Sequence, residues 1–395
     1  MKLPSWLTAV PPDSRAYGHL IQLCADSGHL AAGRQLHARL VSLSVTPSNF
    51  LGSKLISLYS RAARLDDARR VFDAIPRPSV FAWNAILIAL SLHSPDPSAA
   101  VRLFAASGIS PDEVTLSALL KSLAASGPGL SALSDVLGLL HEMIGSNMLP
   151  NTATLSIIIP SVPLFSTLLG VKQAHGYAIR NNYDQSISVV CALIDAYSKA
   201  GFFYGALKVF ELTGDRSKVV WTSIISAAAS HGEAAESLRL FYEMISAGTR
   251  PDTIAFTALL TACAHAGKVA DARKIFDSMQ VVFGITPVME QYACMVSALS
   301  RAGMLNDALE LVNSMPFEPN AKVWGPLLNG AAEFGDIELG RFVFDRLFMI
   351  EPKNTGNYIV MANLYSNAGK WEEAEIIRSM MWGVGLEKVP GCSWN

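Results

Sequence analysis

Apolar residues recur along this chain at helical spacing, in stretches that alternate with short runs of small and polar residues. In the segments LIDAYSKAGFFYGALKVF from Leu193 and LLTACAHAGKVADARKIF from Leu259, two such stretches flank a turn of small residues. Each unit of this pattern, called a block from here on, predicts a helical hairpin. The blocks begin at Ser14, Asn49, Val80, Glu113, Thr152, Ile187, Lys218, Thr253, Met289, Ala321 and Thr355.

A small residue occupies the same place in every block, at the turn between the two predicted helices. Glycine suits this place because it adopts the positive φ that ends a helix without steric cost. Three blocks have Ala63, Ser94 or Ser166 there instead, and their turns are expected to be less regular. The glycines are Gly28, Gly127, Gly201, Gly232, Gly267, Gly303, Gly335 and Gly369.

The blocks are 31 to 39 residues long and run from Ser14 to about Lys388. A single hairpin with apolar groups on both helices cannot bury them alone, so neighbouring hairpins must stack. The expected fold class is therefore all-α, a right-handed α-solenoid superhelix of stacked helix-turn-helix repeats.

The composition fits such a stack without a membrane. Apolar residues make up 51% of the chain and charged residues 16%, and interior helices of a solenoid are covered on two sides. The most apolar stretch, from Ile157, is broken by Pro160 and Pro163 and is shorter than the roughly 20 residues that a membrane span requires. The net charge of −2 and the lack of Lys/Arg runs mean that any nucleic-acid binding must depend on specific contacts.

The unequal blocks resemble the pentatricopeptide repeats of plant proteins, in the subclass that alternates long, short and standard repeats. Blocks 49–79 and 187–217 match the short form, 218–252 the standard form and 253–288 the long form. The segments FDSMQVVFGITPVMEQYACMVSALSRAG, SMPFEPNAKVWGPLLNGAAEFGDIELG, EPKNTGNYIVMANLYSNAGKWEEA and KVPGCSW follow one another as in organellar RNA-editing factors. The resemblance implies a short segment 1–13, nine repeats over 14–320, two E-type repeats similar to tetratricopeptide repeats over 321–388, and a tail 389–395.

Two features depart from the family pattern. Block 80–112 is short and block 113–151 is long, with extra residues around SGPGLSALSD, so these two hairpins are expected to bind RNA less faithfully. Relatives often continue past PGCSW into a deaminase-like domain, whereas this sequence stops at Asn395. The resemblance therefore implies an editing factor that lacks a deaminase domain of its own.

The resemblance also implies that single-stranded RNA is the partner, with one base read per block. In the family, the fifth and last residues of a repeat hydrogen-bond to the base, and the second residue packs against it. By the family's pairing, three sets resemble readers of uridine, adenosine and guanosine. In that order they are Asn84, Asp112 and Phe81; Ser117, Asn151 and Val114; and Thr222, Asp252 and Val219.

The same polar residues have an ordinary structural explanation, because Asn, Asp, Ser and Thr before a helix are common caps. Their repetition at a fixed offset in consecutive blocks favours the reading role. In the remaining blocks the fifth and last residues match the family's pairing poorly or ambiguously. These blocks are expected to keep the spacing between repeats more than to specify bases. Their pairs are Gly18/Ser48, Ser53/Ser79, Ser156/Ser186, Cys191/Ser217, Thr257/Val288 and Ala293/Asn320.

Catalytic motifs are not expected in this chain. A cytidine deaminase requires His-x-Glu and Pro-Cys-x-x-Cys around zinc, and only His231-Gly232-Glu233 matches, at a predicted turn. The five cysteines contain no CxxC pair, so this match is interpreted as chance and neither a metal site nor a cofactor is expected. Scattered cysteines in odd number indicate free, mostly buried thiols in a reducing compartment.

The resemblance implies sequence-specific binding of single-stranded organellar RNA. The protein would specify a C-to-U editing site and recruit the deaminase in trans through the E motifs, from a deaminase-bearing pentatricopeptide repeat protein or another editing factor. Trp324 and Tyr358 are the aromatic residues expected to contact that partner.

Two alternatives stay open. The chain could act in RNA stability, splicing or processing without editing, or it could be a protein-binding scaffold of the tetratricopeptide type. The expected compartment is the mitochondrion, with the chloroplast as the alternative, although the first residues show no evident targeting peptide. The sequence leaves the target transcript and the oligomeric state undetermined.

Overall fold

A computed structural model of the chain describes residues 14–45, 48–96, 98–109, 111–124, 138, 145, 149–165 and 168–383. Within these residues every regular element is a helix, which confirms the expected all-α class. The helices form two compact units that divide between Ala200 and Gly201.

The first helix of a hairpin is called its A helix and the second its B helix. Every A helix begins at the first residue of a block. The A helices are Ser14–Asp26, Asn49–Arg61, Val80–His93, Glu113–Ala124, Thr152–Ile158, Ile187–Lys199, Lys218–Ser230, Thr253–His265, Met289–Arg301, Ala321–Phe334 and Thr355–Asn367. The B helices are Leu30–Ser42, Leu65–Asp73, Ala99–Ala105, Leu168–Arg180, Phe203–Leu212, Ala234–Ser246, Val269–Val281, Leu305–Asn313, Ile337–Ile350 and Trp371–Gly383.

Stacking of hairpins builds the core of each unit. Within a unit, an A helix packs against the A helix of the next hairpin as well as against B helices. Ile56 and Ile86 in the first unit and Leu260 and Leu327 in the second are essentially without solvent exposure. Burial of such side chains stabilises the stack by roughly 1.5–3 kcal/mol each. As a result, the first turns of successive A helices lie side by side within each unit.

Glycine ends most A helices in the manner that the sequence predicts. The φ angles at the described turn glycines are positive, for example +74° at Gly232 and +75° at Gly369. Ala63 takes the same left-handed conformation with φ of +55°, which an L-residue adopts only at some cost. Ser94 differs, because its φ of −73° and ψ of 131° are extended. That hairpin therefore turns by another route, in which the Ser94 hydroxyl donates to the Asp96 carbonyl.

The block that begins at Thr152 has an interrupted A helix. Its first segment ends at Ile158, a 3₁₀ turn covers Ile159–Ser161, and a short helix covers Val162–Phe165. Pro160 and Pro163 explain the break, because proline lacks the N–H that continues an α-helix.

Some expectations fall outside the described residues. These are the segment 1–13, the turn residues Gly127 and Ser166, the extra residues SGPGLSALSD, and the tail 389–395. Across the part of the chain that is described, no helix has the length and apolar character to cross a membrane.

Candidate nucleic-acid interface

The best-formed pair of candidate reading residues bridges two neighbouring A helices. Asn84 lies in the first turn and a half of helix Val80–His93, and Asp112 directly precedes helix Glu113–Ala124. The Asn84 carboxamide Nδ2 donates to Asp112 Oδ1 and Oδ2, both at 2.9 Å. Asn84 is only 6% exposed. The structure therefore brings this predicted pair together across the stack.

Thr115 completes the polar cluster around this pair. Its hydroxyl Oγ1 lies 2.6 Å from Asn84 Oδ1 and 2.8 Å from Asp112 Oδ1. Its backbone N–H donates to Asp112 Oδ1 at 2.8 Å, so Asp112 also caps the helix. Burial opposes ionisation of Asp112, but the hydrogen bonds from the Thr115 N–H and from the side chains of Asn84 and Thr115 outweigh it. The pKa of Asp112 consequently lies below its usual value.

The second pair is looser. Thr222 Oγ1 donates to Asp252 Oδ1 at 3.4 Å, which is long for a hydroxyl hydrogen bond. Asp252 caps helix Thr253–His265 by accepting from the Ala255 N–H at 2.9 Å. Thr222 and Asp252 thus lie side by side across neighbouring A helices, but the helix cap is the stronger of the two interactions made by Asp252.

In the third pair, only the last residue has a defined hydrogen-bonding role. Asn151 Oδ1 accepts from the Thr154 N–H at 2.9 Å and from the Thr154 hydroxyl at 3.2 Å, and so caps the following helix. Ser117 is half-buried, and its side chain is not joined to Asn151 by a hydrogen bond. The structure supports the capping role of Asn151 and does not pair it directly with Ser117.

The second residues of the three blocks project to solvent. Phe81 is 77% exposed, Val219 55% and Val114 48%. Large apolar side chains that lie in the first turn of a helix and face solvent are available to pack against the face of a base. Phe50 and Ile254, the second residues of two other blocks, are also exposed at 47% and 61% and were not singled out from the sequence. The signal was present, since both occupy the frame position of Phe81.

The fifth residues of two other blocks also have contacts across the stack. The ring of Phe50 covers Gly18, the fifth residue of the first block, so closely that a Cβ there would lie 2.2 Å from the ring. In the block that begins at Thr253, the fifth residue Thr257 accepts from the Gln291 carboxamide at 2.6 Å and donates to the Thr253 carbonyl at 2.8 Å. Gln291 belongs to the following A helix and was not identified from the sequence.

The two aromatic residues expected to contact a partner are largely buried. Tyr358 is 1% exposed, and its hydroxyl donates to the Pro352 carbonyl at 2.7 Å. Its ring packs edge-on against Phe344 and Phe348 of the preceding B helix, a position that does not suit a partner contact. Trp324 is 6% exposed, but it lines an open cavity of about 620 Å³ together with Phe342 and Arg346. The more accessible aromatic groups in this region are Trp371 and Trp382, at 66% and 61% exposure.

The His-x-Glu match lies at a turn, as expected. His231 follows helix Lys218–Ser230, and Glu233 precedes helix Ala234–Ser246. The His231 ring packs against Phe203 with ring centroids 5.6 Å apart. No group of three or more His, Cys, Asp or Glu side chains among the described residues could hold a metal ion. Burial raises the pKa of the Cys263 thiol to about 11, which fits a packing role.

Models of known families match the second half of the chain. The PPR repeat family matches residues 216–265, and the PPR repeat matches 188–212, 254–281 and 292–318. The E motif matches residues 334–395, which begin at the last residue of helix Ala321–Phe334.

Several Arabidopsis thaliana proteins are similar to this chain. Pentatricopeptide repeat-containing protein At1g03510 is 33% identical over 386 residues, which cover 98% of this chain and 89% of the relative. Protein At2g37310 is 48% identical over 62% of this chain and 37% of its own length. Protein CRR2, chloroplastic, is 30% identical over 98% of this chain and 54% of its own length. The chain thus spans only about a third to a half of the length of the last two relatives.

A solved structure shares the fold. The crystal structure of PPR10 in complex with an 18-nt psaJ RNA element aligns with a TM-score of 0.72 at 17% identity, over 96% of this chain and 56% of that chain. The family itself is shown by the matching repeats, the E motif and the relative that is 33% identical over almost the whole chain. The chain belongs to the pentatricopeptide repeat family, in the group whose repeats are followed by an E motif.

Proposed function

We propose that this protein binds single-stranded RNA in a sequence-specific manner, with one base facing one block. The observation that carries the proposal is the Asn84–Asp112 pair, which joins two A helices, with the exposed Phe81 three residues before Asn84 on the same helix. A base stacked on Phe81 would place its hydrogen-bonding edge against this pair. The fold that this chain shares with PPR10, which was crystallised with RNA, supports the proposal.

The order of the blocks defines a target. By the family's pairing, Asn84 with Asp112 reads uridine, Ser117 with Asn151 reads adenosine, and Thr222 with Asp252 reads guanosine. Two blocks, which begin at Thr152 and Ile187, lie between the second and third readers. The preferred sequence is therefore U-A, two weakly specified bases, and G, read 5′ to 3′.

The strength of each contact follows from its geometry. A well-formed hydrogen-bonding pair discriminates against a wrong base by about 1–3 kcal/mol, by analogy with base readout in DNA. The tight Asn84–Asp112 pair is expected at the upper end of that range. The 3.4 Å separation of Thr222 and Asp252 places that site lower.

Equilibrium binding to short RNAs tests the proposal. The wild type should bind an RNA that contains U-A-N-N-G more tightly than one with the three specified bases replaced. The double variant Asn84→Ala/Asp112→Ala should lose discrimination at the uridine position alone: it should bind the U-A-N-N-G RNA and an RNA in which only that uridine is replaced with nearly equal affinity, and it should still distinguish the other two specified bases. A control variant, Asp195→Ala, removes a carboxylate whose salt-bridge partner is Lys199 on the same helix, at an exposed site outside the reading pairs, and should behave as wild type. Equal affinity of the wild type for both RNAs would contradict the proposal.

We further propose that the RNA-bound protein specifies a C-to-U editing site in an organelle and recruits a deaminase in trans. The match of residues 334–395 to the E motif supports an editing role, and the cavity beside Trp324 is the surface proposed to contact the partner. Mitochondria are the proposed compartment, with chloroplasts as the alternative. Sequencing of organellar transcripts after loss of the gene should show one or more cytidines that are no longer edited, 3′ of the target sequence. Full editing with altered transcript abundance or splicing would favour a role in RNA stability or processing instead.

A further inference from the structure

We infer that Thr115 is a positioning residue that sets base discrimination at the Asn84–Asp112 site. This inference rests on the proposed RNA-reading function and deepens it. Thr115 is the third residue of helix Glu113–Ala124, and it lies outside the second, fifth and last positions used above to assign bases. It has no solvent exposure, so it does not contact RNA itself.

The contacts of Thr115 show how it would act. Its hydroxyl is 2.6 Å from Asn84 Oδ1, while Asn84 Nδ2 faces the Asp112 carboxylate at 2.9 Å. A carboxylate only accepts hydrogen bonds, so it selects the nitrogen of the carboxamide. The single hydroxyl proton of Thr115 has two acceptors within reach, Asn84 Oδ1 at 2.6 Å and Asp112 Oδ1 at 2.8 Å, and donation to the nearer one holds the oxygen on the other side of the carboxamide. The two partners together fix both ends of the Asn84 side chain in one orientation.

Loss of the Thr115 hydroxyl would change what the site offers to a base. Asn84 Oδ1 would lose its donor while remaining nearly buried, and an unsatisfied buried acceptor is costly. The carboxamide would then gain by turning toward a donor on the base. The Asn84 side chain would then present either its nitrogen or its oxygen to the RNA, and discrimination between bases would fall.

The same position in other blocks supports this role. Gln291 is the third residue of helix Met289–Arg301 and is 1% exposed. Its carboxamide donates to the fifth residue of the preceding block, Thr257, at 2.6 Å. At the Thr222 site the equivalent residue is Ala255, which offers no side-chain hydrogen bond, and there the pair is loose at 3.4 Å. At the Asn84 and Thr257 positions, therefore, the fifth residue is held by a hydrogen bond to the third residue of the following A helix, and at the Thr222 position that hydrogen bond is absent.

The test measures dissociation constants of the full chain for four RNAs that differ only in the base facing Asn84. Thr115→Val keeps the shape of the side chain but removes the hydroxyl, and it should reduce the preference for uridine by about tenfold. Thr115→Ser retains the hydroxyl and should restore the preference. Preference for guanosine at the Thr222 site, measured on the same variants, should not change. Thr154→Val is the matched control, because Thr154 is the equally buried third residue of the next block and its hydroxyl contacts Asn151 rather than the fifth residue Ser117.

A double variant separates positioning from general damage. If Thr115 acts through Asn84, Thr115→Val should have no further effect on base preference in an Asn84→Ala background. Thermal melting of each variant checks folding, and Thr115→Ala replaces Thr115→Val if the latter does not fold. Unchanged uridine preference in Thr115→Val, with clear preference in the wild type, would overturn the inference and leave the proposed function intact. A similar loss of affinity for all four RNAs would also overturn it, because it would indicate a structural role alone. No preference in the wild type would overturn both.

Discussion

Asn84 and Asp112 are joined by two contacts of 2.9 Å from the carboxamide nitrogen to both carboxylate oxygens, although they are 28 residues apart. The same carboxylate accepts from the Thr115 N–H and so caps the following helix. Capping and base reading, which compete as explanations of such residues in the sequence, are therefore compatible here. Asp112 Oδ1 accepts from the Thr115 N–H and also lies 2.9 Å from Asn84 Nδ2, and Oδ2 lies at the same distance from Asn84 Nδ2.

The double role of Asp112 predicts a larger stability cost than an ordinary cap has. Asp112→Ala removes the cap, worth about 0.5–2 kcal/mol, and also leaves Asn84 Nδ2 unpaired in a buried site, for about 1–3 kcal/mol more. Hydrogen exchange of the amides of Thr115 and Leu116 measures this locally. Asp252→Ala is the matched control, because its cap is similar but its contact with Thr222 is weak. Equal costs for the two variants would contradict the structural importance of the Asn84 contact.

Phe81 should matter for RNA binding and little for folding. Its side chain is 77% exposed, so Phe81→Ala removes almost no buried surface. Loss of a stacking platform should weaken RNA binding by about 1–3 kcal/mol, while the melting temperature stays close to that of the wild type. Tyr204→Ala offers a matched control, since Tyr204 is a 60% exposed aromatic residue on a B helix, away from the row of second positions. RNA affinities of the two variants should differ clearly, and similar affinities would argue against stacking at Phe81.

Much of the helical framework could be predicted from the sequence. The block starts at Val80 and Thr253, for example, are the first residues of A helices, because the apolar spacing and the turn residues are local signals. The turn at Ser94 was less accessible, since serine there favours no single backbone conformation. The burial of Tyr358 was also missed. An aromatic residue in a helical pattern gives no indication of which side faces its neighbours until the packing is known.

Replacement of Ala63 by glycine should stabilise the folded protein. Its φ of +55° places an L-residue in the left-handed region, which costs about 1–2 kcal/mol. Ala63→Gly removes that strain but increases the freedom of the unfolded chain, so the net gain should be about 0.5–1 kcal/mol. The reverse change, Gly232→Ala, should destabilise the protein at a φ of +74°, where nothing else lies within 4 Å of the added Cβ. Urea denaturation of both variants measures the two signs, and a loss of stability in Ala63→Gly would contradict the assignment of strain.

Two matched His–Tyr pairs predict a pH dependence of stability. His37 Nδ1 lies 2.8 Å from the Tyr59 hydroxyl, and His175 Nδ1 lies 3.0 Å from the Tyr197 hydroxyl. Burial lowers the pKa of both imidazoles, more than Asp67 and Asp184 raise it. The unfolded chain therefore binds more protons, and the free energy of unfolding should fall as the pH drops below about 6.5.

This decline should be smaller in the variant His37→Gln/His175→Gln. Chemical denaturation at several values between about pH 7 and pH 5 measures it, a window above the range in which most carboxylates titrate. An identical pH profile in wild type and double variant would show that these histidines are not responsible.

The geometry of the proposed base-reading site was only partly accessible from the sequence. Asn84, Asp112 and Phe81 could be identified because they recur at fixed offsets from the block start. Thr115 and Gln291 could not, because a polar residue in the first turn of a helix has many ordinary roles and their contacts reach back to the preceding A helix. Side-chain partners between neighbouring repeats depend on the stacking distance, which the sequence of a single repeat does not specify.

If individual blocks read individual bases, a substitution in one block should change the base preferred at one position of the RNA. Thr222→Asn, opposite Asp252, recreates the residue types of the Asn84–Asp112 pair. RNAs retained from a randomised single-stranded pool by wild type and by this variant are sequenced and compared. The wild type should enrich U-A-N-N-G and the variant U-A-N-N-U, with the first two bases unchanged and the last uridine less strongly preferred than the first, because Ala255 has no hydroxyl to hold the new carboxamide as Thr115 holds that of Asn84. The same enriched sequence for both proteins, or no enrichment for either, would contradict the reading of individual bases by individual blocks.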